Sequence, residues 1–233
     1  MNQEVGIESR EQILLAAAKL FARQGYNGTS FAAVAKLANH SKALVQYHFQ
    51  NKERLWQETV KYTWQQRDHI LPHYMEANHF TEYDQKQQRH YMRLLAKNLV
   101  QFTIDNPEWI QILHQEAAAP GPRLDWIVNE VATPDIKQGQ IVIGYLQSVG
   151  QLPDMDPLML FCIFATALTS YADIATLMSK SLGLDLHSDE FVEKYTDSFV
   201  SLLQGNFDLV KKGDLVKKGA LVEKGLSQTE VKR

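Results

Sequence analysis

The segment TSFAAVAKLANHSKALVQYHFQNKERL, residues 29–55, contains side chains suited to reading DNA. Lys42 and Gln46 are four residues apart, so on a helix they project from the same face. Two short helices, a tight turn and the start of a longer helix have the layout of a helix-turn-helix, whose second helix enters the major groove of DNA and reads bases.

Two short helices and a tight turn are predicted to position that face. Thr29 or Ser30 can cap a helix with a small inward surface that includes Ala35 and Ala38. Small side chains allow two helices to cross closely, as a helix-turn-helix requires. Asn39 falls at the turn, where a left-handed backbone is needed and asparagine tolerates it.

Capping residues also delimit the neighbouring helices. Ser41 is expected to begin the base-reading helix, with Val45 and Phe49 facing inward, and Asn51 to begin the next one. Upstream, Ser9 and Gln12 have capping-box spacing, which predicts a helix start at Ser9. Gly25 is expected to end that first helix.

The motif resembles the N-terminal region of the tetracycline-repressor (TetR) family of bacterial regulators. The similarity rests on Thr29-Ser30, Val34-Ala35, Ala38-Asn39, His48-Phe49, Lys52-Glu53 and Leu55. Two positions depart from the family pattern, because Asn39 replaces the turn glycine and Gln46 replaces a frequent tyrosine. We interpret the second change as a glutamine readout of a base.

The resemblance implies an all-α fold with an N-terminal three-helix DNA-binding domain and a larger helical domain for ligand binding and dimerisation. It also implies that Thr29, Tyr47 and Lys52 bind backbone phosphates, which set register. Base edges would be read from the surface formed by Ser41, Lys42, Ala43, Leu44 and Gln46. Ser30 is predicted to belong to the same DNA-binding surface. The alternative is a merely packed three-helix subdomain. Independently of that choice, His48 is expected to be a core or interhelix hydrogen-bonding histidine rather than a catalytic base.

Charge is divided unevenly along the 233-residue chain. Residues 1–56 contain 7 Lys+Arg and 4 Asp+Glu, whereas residues 57–205 contain 10 and 19. The positive segment coincides with the predicted DNA-binding residues, as phosphate binding requires. The one cysteine, Cys162, excludes an internal disulfide. The N-terminus lacks a secretory pattern and no apolar run is long enough for a membrane span, so a cytoplasmic protein is expected.

The rest of the chain has helical periodicity, including helices over 85–104, 156–178 and 188–204, with proline at the start of those at Pro122 and Pro134. We therefore predict three regions: DNA-binding domain 1–55, ligand-binding and dimerisation domain 56–205, and a tail 206–233. The tail repeats LVKKGDLVKKGALVEKG, and glycine in each copy disfavours a long helix. It is interpreted as a solvated extension.

The last two helices of the body are apolar enough to pair with those of a second copy, and the resemblance implies the same homodimer. The predicted interface consists of Phe161, Phe164, Phe191, Tyr195 and Phe199. Two DNA-binding domains would then occupy a palindrome with half-sites about 34–36 Å apart.

An apolar pocket for a small-molecule effector is expected within the body. Its candidate residues are Trp64, Phe102, His114, Glu116, Trp126, Tyr171 and Asp173. Buried carboxylates among aromatic rings would favour a cationic ligand. His69 and His73 have the spacing of metal ligands, but Pro72 interrupts their helix and no third ligand follows, so neither a metal nor a cofactor is predicted.

The favoured function is a homodimeric repressor released from a palindromic operator by a small molecule. The alternative is an architectural or protein-interacting DNA-bound factor of the same fold without an effector. The sequence does not suggest an enzyme, because it lacks a paired nucleophile and base, a useful carboxylate pair and a phosphate loop.

Overall fold

Helices form the regular structure of the computed structural model, which describes residues 2–70 and 84–203. They are α1 Asn2–Gly28, α2 Phe31–Leu37, α3 Lys42–Phe49, α4 Lys52–Ile70, α5 Gln85–Asp105, α6 Glu108–Ala118, α7 Pro122–Ile127, α8 Thr133–Ser148, α9 Pro157–Thr169, α10 Tyr171–Leu182 and α11 Asp189–Leu203. No strand occurs in these ranges. The predicted all-α class is confirmed.

Local capping explains the boundaries of α2, α3 and α4. The backbone N–H groups of Ala33, Leu44 and Arg54 donate to the side chains of Ser30, Ser41 and Asn51, respectively. The predicted caps at Ser41 and Asn51 are therefore confirmed, and Ser30 rather than Thr29 caps α2.

The first helix differs from its prediction at the N-terminal end. It begins at Asn2 instead of Ser9, because helical hydrogen bonding continues through the polar residues before the capping-box pattern. At the other end, Gly25 leaves the helical conformation with φ 68° and ψ 177°. Glycine adopts positive φ without steric cost, so it kinks the chain before the last turn, which ends at Gly28.

The first hydrophobic core joins the N-terminal helices to the body. Its most buried members include Phe21, Phe49, Trp56 and Ile127. Because Trp56 lies on α4 and Ile127 on α7, this core extends across the predicted boundary at residues 55 and 56. The boundary therefore does not mark a break in packing, although it remains a prediction about function.

The second core occupies the body. It is formed by α5 and α8–α11 and includes Val100, Leu160 and Val192. Gly139 on α8 permits close approach of α9, since a Cβ atom at that position would lie 2.4 Å from the ring of Phe161. On its surface, Arg93 of α5 forms ion pairs with two acidic side chains of α11.

The chain from Pro122 to Ser148 stays helical where a new helix was predicted at Pro134. A short π-helical segment, Val128–Ala132, connects α7 to α8. Proline lacks an N–H group and its ring clashes with the carbonyl four residues earlier. Local widening of the helix relieves both problems, so the proline follows a π-helical segment and the chain remains helical.

The helix predicted over 156–178 is two helices. Helix α9 ends at Thr169, and α10 starts after Ser170, the residue that lies between them. The hydroxyl of Thr169 donates to the carbonyl of Ala165, a bond of the kind that accompanies helix bending. No single helix within the described ranges is long and apolar enough to span a bilayer. Helix α9 and residues 173–182 of α10 meet that test only as a pair bent by 51°.

Candidate nucleic-acid interface and the cavity of the body

The outer face of α3 is exposed along its length. Lys42, Ala43 and Gln46 are all exposed, and Tyr47 keeps 79% of its surface accessible. Leu44 is half-buried at the edge of this face. A large aromatic side chain exposed to this degree has no role in packing the core, so it is available to a partner.

The opposite side of α3 anchors the helix. Val45 and Phe49 are fully buried, as predicted. The preceding turn passes through Asn39 with φ 56°, the left-handed conformation that the sequence predicted. Since α3 is fixed by both its turn and its buried side, its exposed groups are held on a rigid element.

Thr29 and Lys52 are not placed like the exposed residues of α3. Thr29 retains 2% of its surface, and its hydroxyl donates to the carbonyl of Gly25 at 2.9 Å. This position differs from the surface hydroxyl expected of a phosphate ligand. Lys52 is half-buried, with Nζ 3.3 Å from the carbonyl oxygen of Asn27.

His48 is half-buried on α3. Its ring is 5.4 Å from that of Tyr47 and 5.9 Å from that of Phe49. Its Nε2 atom is buried and has no hydrogen-bond partner among the described residues, so the interhelix hydrogen bond considered for it is absent there. Burial lowers the pKa of His48, and the nearby charges of Arg10 and His40 lower it further.

A cavity of about 370 Å³ opens between α9, α10 and α11. Tyr171, Ile174, Met178, Phe191 and Tyr195 contribute most of its apolar wall. The hydroxyls of Tyr171 and Tyr195 donate to the backbone carbonyls of Leu186 and Ala167. Because these hydroxyls are already engaged, the two tyrosines present mainly ring surface to the cavity.

The predicted ligand residues are distributed over several places. Of the seven, the cavity is lined by Tyr171 alone. Three others, Trp64, Phe102 and Trp126, belong to the first core or pack against it. Glu116 is buried and pairs with Arg123, so its carboxylate already has a cationic partner.

His114 and Asp173 form an exposed pair at 3.8 Å, on α6 and on the cavity helix α10. Within residues 2–70 and 84–203 no group of three His, Cys, Asp or Glu side chains could hold a metal. His73, the second residue of the metal-like pair, and the repeat at 209–225 lie outside the described residues.

Comparison with known proteins places the N-terminal helices in a family. The sequence profile of bacterial regulatory proteins of the tetR family matches residues 13–59, which include α2, α3 and the exposed side chains of α3. Over residues 13–59 the chain matches the tetR family. The resemblance inferred from residues 29–55 is thereby confirmed.

Named relatives of this protein are transcriptional regulators. The HTH-type transcriptional repressor NicS of Pseudomonas putida is 25% identical over 108 residues, 46% of this chain and 48% of NicS. The negative regulator IcaR of the biofilm operon of Staphylococcus aureus is 36% identical over 52 residues, 22% of this chain and 28% of IcaR. The chain thus spans about half of one relative and about a quarter of the other.

Solved structures share the fold over a greater length. AibR in complex with isovaleryl coenzyme A and operator DNA has a TM-score of 0.63 at 19% identity, covering 84% of this chain and 97% of AibR. A putative fatty acid metabolism regulator of Clostridium perfringens has a TM-score of 0.65 at 20% identity, covering 86% and 100%. At this identity the likeness establishes the fold alone.

The residues predicted for the dimer interface pack mainly within a single copy of the chain. Phe161, Phe164, Phe191 and Tyr195 are partly buried against the second core, and Phe199 is buried in it. The exposed apolar side chains of α9 and α10 are instead Leu158, Met159, Ile163, Ile174, Leu177, Met178 and Leu182. We call this set the α9–α10 apolar face.

Proposed function

We propose that this TetR-family protein is a sequence-specific DNA-binding regulator of transcription in the cytoplasm. The exposed face of α3 carries the proposal, because it presents Lys42, Gln46 and Tyr47 from a rigid, capped helix. Lysine and glutamine would contact base edges in the major groove, while Tyr47 and Lys52 would contact phosphates. Ser30, Ser41, Ala43 and Leu44 complete the proposed surface. Thr29 would support it from inside the fold.

The proposed active form is a homodimer that binds a palindromic operator. One α3 helix reads few base pairs, so two copies are needed for useful specificity. The α9–α10 apolar face supports this part of the proposal, since seven large apolar side chains are exposed on two successive helices and exposed apolar surface is typical of interaction sites. In the dimer this face would pack against a second copy, and the five predicted aromatic residues would support it from beneath.

The proposed mode of regulation is repression that a small molecule relieves. The cavity between α9, α10 and α11 supports an effector and favours an apolar one, because ring and aliphatic surface forms most of its wall. The names of NicS, a repressor, and of AibR, solved with an acyl coenzyme A and operator DNA, are consistent with this mode. The dimer would have two conformations that differ in the spacing of its two α3 helices. The effector would bind one conformation more tightly than the other and so shift the population toward it.

The experiment is selection of randomised duplex DNA by the purified full-length protein, with the bound pool sequenced at near-physiological salt. Enrichment of a palindrome would support a dimeric, sequence-specific regulator. Compounds would then be screened for release of that operator. A bound pool with no enriched sequence would contradict specific recognition and leave the architectural function instead.

A further inference from the structure

A tyrosine at the end of α1 lies between a DNA-binding cation and a cation of the body. Nζ of Lys52 is 4.5 Å from the ring centroid of Tyr26, and Cζ of Arg123 is 4.2 Å from the same centroid. Both distances are well within the range at which a cation is attracted to an aromatic ring. Residues far apart in the sequence therefore meet at one side chain.

The body holds Arg123 firmly. Its Nε donates to Glu116 Oε1 at 2.9 Å, and the Glu116 side chain is 8% exposed. Arg123 also lies 6.0 Å from the ring of Trp56 in the first core. The pair joins α6 to α7, so the guanidinium on Tyr26 is fixed to the body rather than to the DNA-binding helices.

Lys52 has fewer constraints. Its ammonium donates to the carbonyl of Asn27 and rests near the Tyr26 ring. The positive charge of Arg123 repels it and, after burial, is the second cause that lowers the pKa of Lys52. Repulsion from Arg123 disfavours orientations of Lys52 toward the body.

We propose that Arg123 is a positioning residue for DNA binding, which acts through Tyr26 to hold Lys52 in a phosphate-binding orientation. This inference rests on the proposed function, since it requires Lys52 to contact DNA. The cation of Arg123 fixes the ring, the ring and the Asn27 carbonyl fix the ammonium, and a shift of α6 or α7 changes all of these contacts. The contact thus provides a physical link between the body and the DNA-binding surface.

A double-mutant cycle between Arg123 and Lys52 tests the proposal on the full-length protein with its selected operator. Arg123→Met keeps an unbranched, flexible stem and removes the charged head group. We expect it to weaken operator binding about fivefold when Lys52 is present and to have little further effect in Lys52→Met protein, because residues that share a partner, here Tyr26, couple. Arg123→Lys, which keeps the charge but loses the planar contact with Glu116 and the ring, should give a smaller loss of the same kind.

The matched control is Lys61→Met. Lys61 also lies over an aromatic ring, 5.5 Å from that of Trp126, and is exposed on α4. Its effect on operator affinity should be the same in both Lys52 backgrounds. If Arg123→Met weakened operator binding by the same factor in wild-type and Lys52→Met protein, the positioning role of Arg123 would be wrong. The proposed binding of DNA would still stand.

Titration of the Lys52 side chain by NMR provides a readout that needs no DNA. In Arg123→Met protein the pKa of Lys52 should rise, because a repelling charge has been removed. An unchanged titration would refute the contact itself. If the wild-type protein bound no duplex at any salt concentration, both the proposed function and this role would fall, whatever the titration showed.

Discussion

At the scale of single residues, the exposed side chains of α3 and the cation at the start of α4 are expected to have different tasks. Lys42→Ala should weaken operator binding by about 1–3 kcal/mol and reduce discrimination among related sequences, because a base contact is lost. Lys52→Ala should weaken all duplexes alike and lower the salt slope by about one, because a phosphate contact is lost. Binding assays over a panel of operator variants and salt concentrations measure both effects.

Lys36→Ala is the control for this pair, since Lys36 is an exposed lysine of α2 outside the predicted DNA contacts. It should change affinity and discrimination little. If Lys42→Ala and Lys52→Ala gave the same pattern across the operator panel, the division between base and phosphate contacts would be wrong.

His48 should make the stability of the protein depend on pH. Its folded-state pKa lies below the ordinary value, so the unfolded chain takes up a proton first as the pH falls. The stability from the neutral imidazole is therefore present above about pH 6.5 and declines below it. In His48→Gln protein, the loss of Tm between pH 7.5 and 5.5 should be smaller than in wild type. An equal loss in both would mean that other groups cause it.

Sequence reasoning succeeded for residues whose partners are close in the chain. Ser41 and Asn51 bond backbone groups three residues away, and Asn39 adopts the left-handed turn, so their types alone indicated their roles. Contacts that depend on tertiary packing gave no such signal. The meeting of Tyr26 and Arg123 depends on how α6, whose Glu116 holds Arg123, packs on α1, and no local pattern in the sequence encodes it.

At the scale of helices, periodicity located the elements better than their breaks. The helix expected over 85–104 is observed as Gln85–Asp105, with a capping box at Asp84 and Gln87. The break at Ser170 was missed, because the segment around it contains neither proline nor glycine. The interface prediction rested on the apolar first half of the helix predicted over 156–178 and on the apolar stripe of the last helix. The aromatic residues it named pack against the second core, and other apolar side chains of α9 and α10 are exposed.

The α9–α10 apolar face should therefore control association. Ile163 belongs to this face and is 50% exposed, so Ile163→Lys should convert a dimer to a monomer by placing a charge in the buried interface. Sedimentation over a range of concentrations measures the change. Leu15→Lys on α1 is the control, with 44% of its surface exposed outside this face. If Ile163→Lys protein remained a dimer, the interface would lie elsewhere.

At the scale of the whole molecule, the two cores are linked although the functions predicted for the two regions are distinct. Leu99 on α5 packs against both cores, and α4 runs from the DNA-binding helices into the body. Division of the sequence by charge and motif assigned a predicted function to each region, but it could not show that Trp56 and Ile127 share one core. A shared core allows displacements in the body to reach α1 and α4.

Unfolding should consequently be cooperative and sensitive to protein concentration. All four tryptophans belong to the first core or pack against it, so their fluorescence reports on that core, whereas far-UV circular dichroism reports on all helices. If the cores are coupled, urea titrations by the two probes should have the same midpoint.

If the protein dimerises through α9 and α10, the urea midpoint should rise with protein concentration, and this rise should also be seen by the fluorescence of the first core. Ile163→Lys protein should lose the concentration dependence. A fluorescence midpoint independent of concentration, beside a dichroism midpoint that rises, would show that dimerisation stabilises only the second core and that the two cores unfold separately.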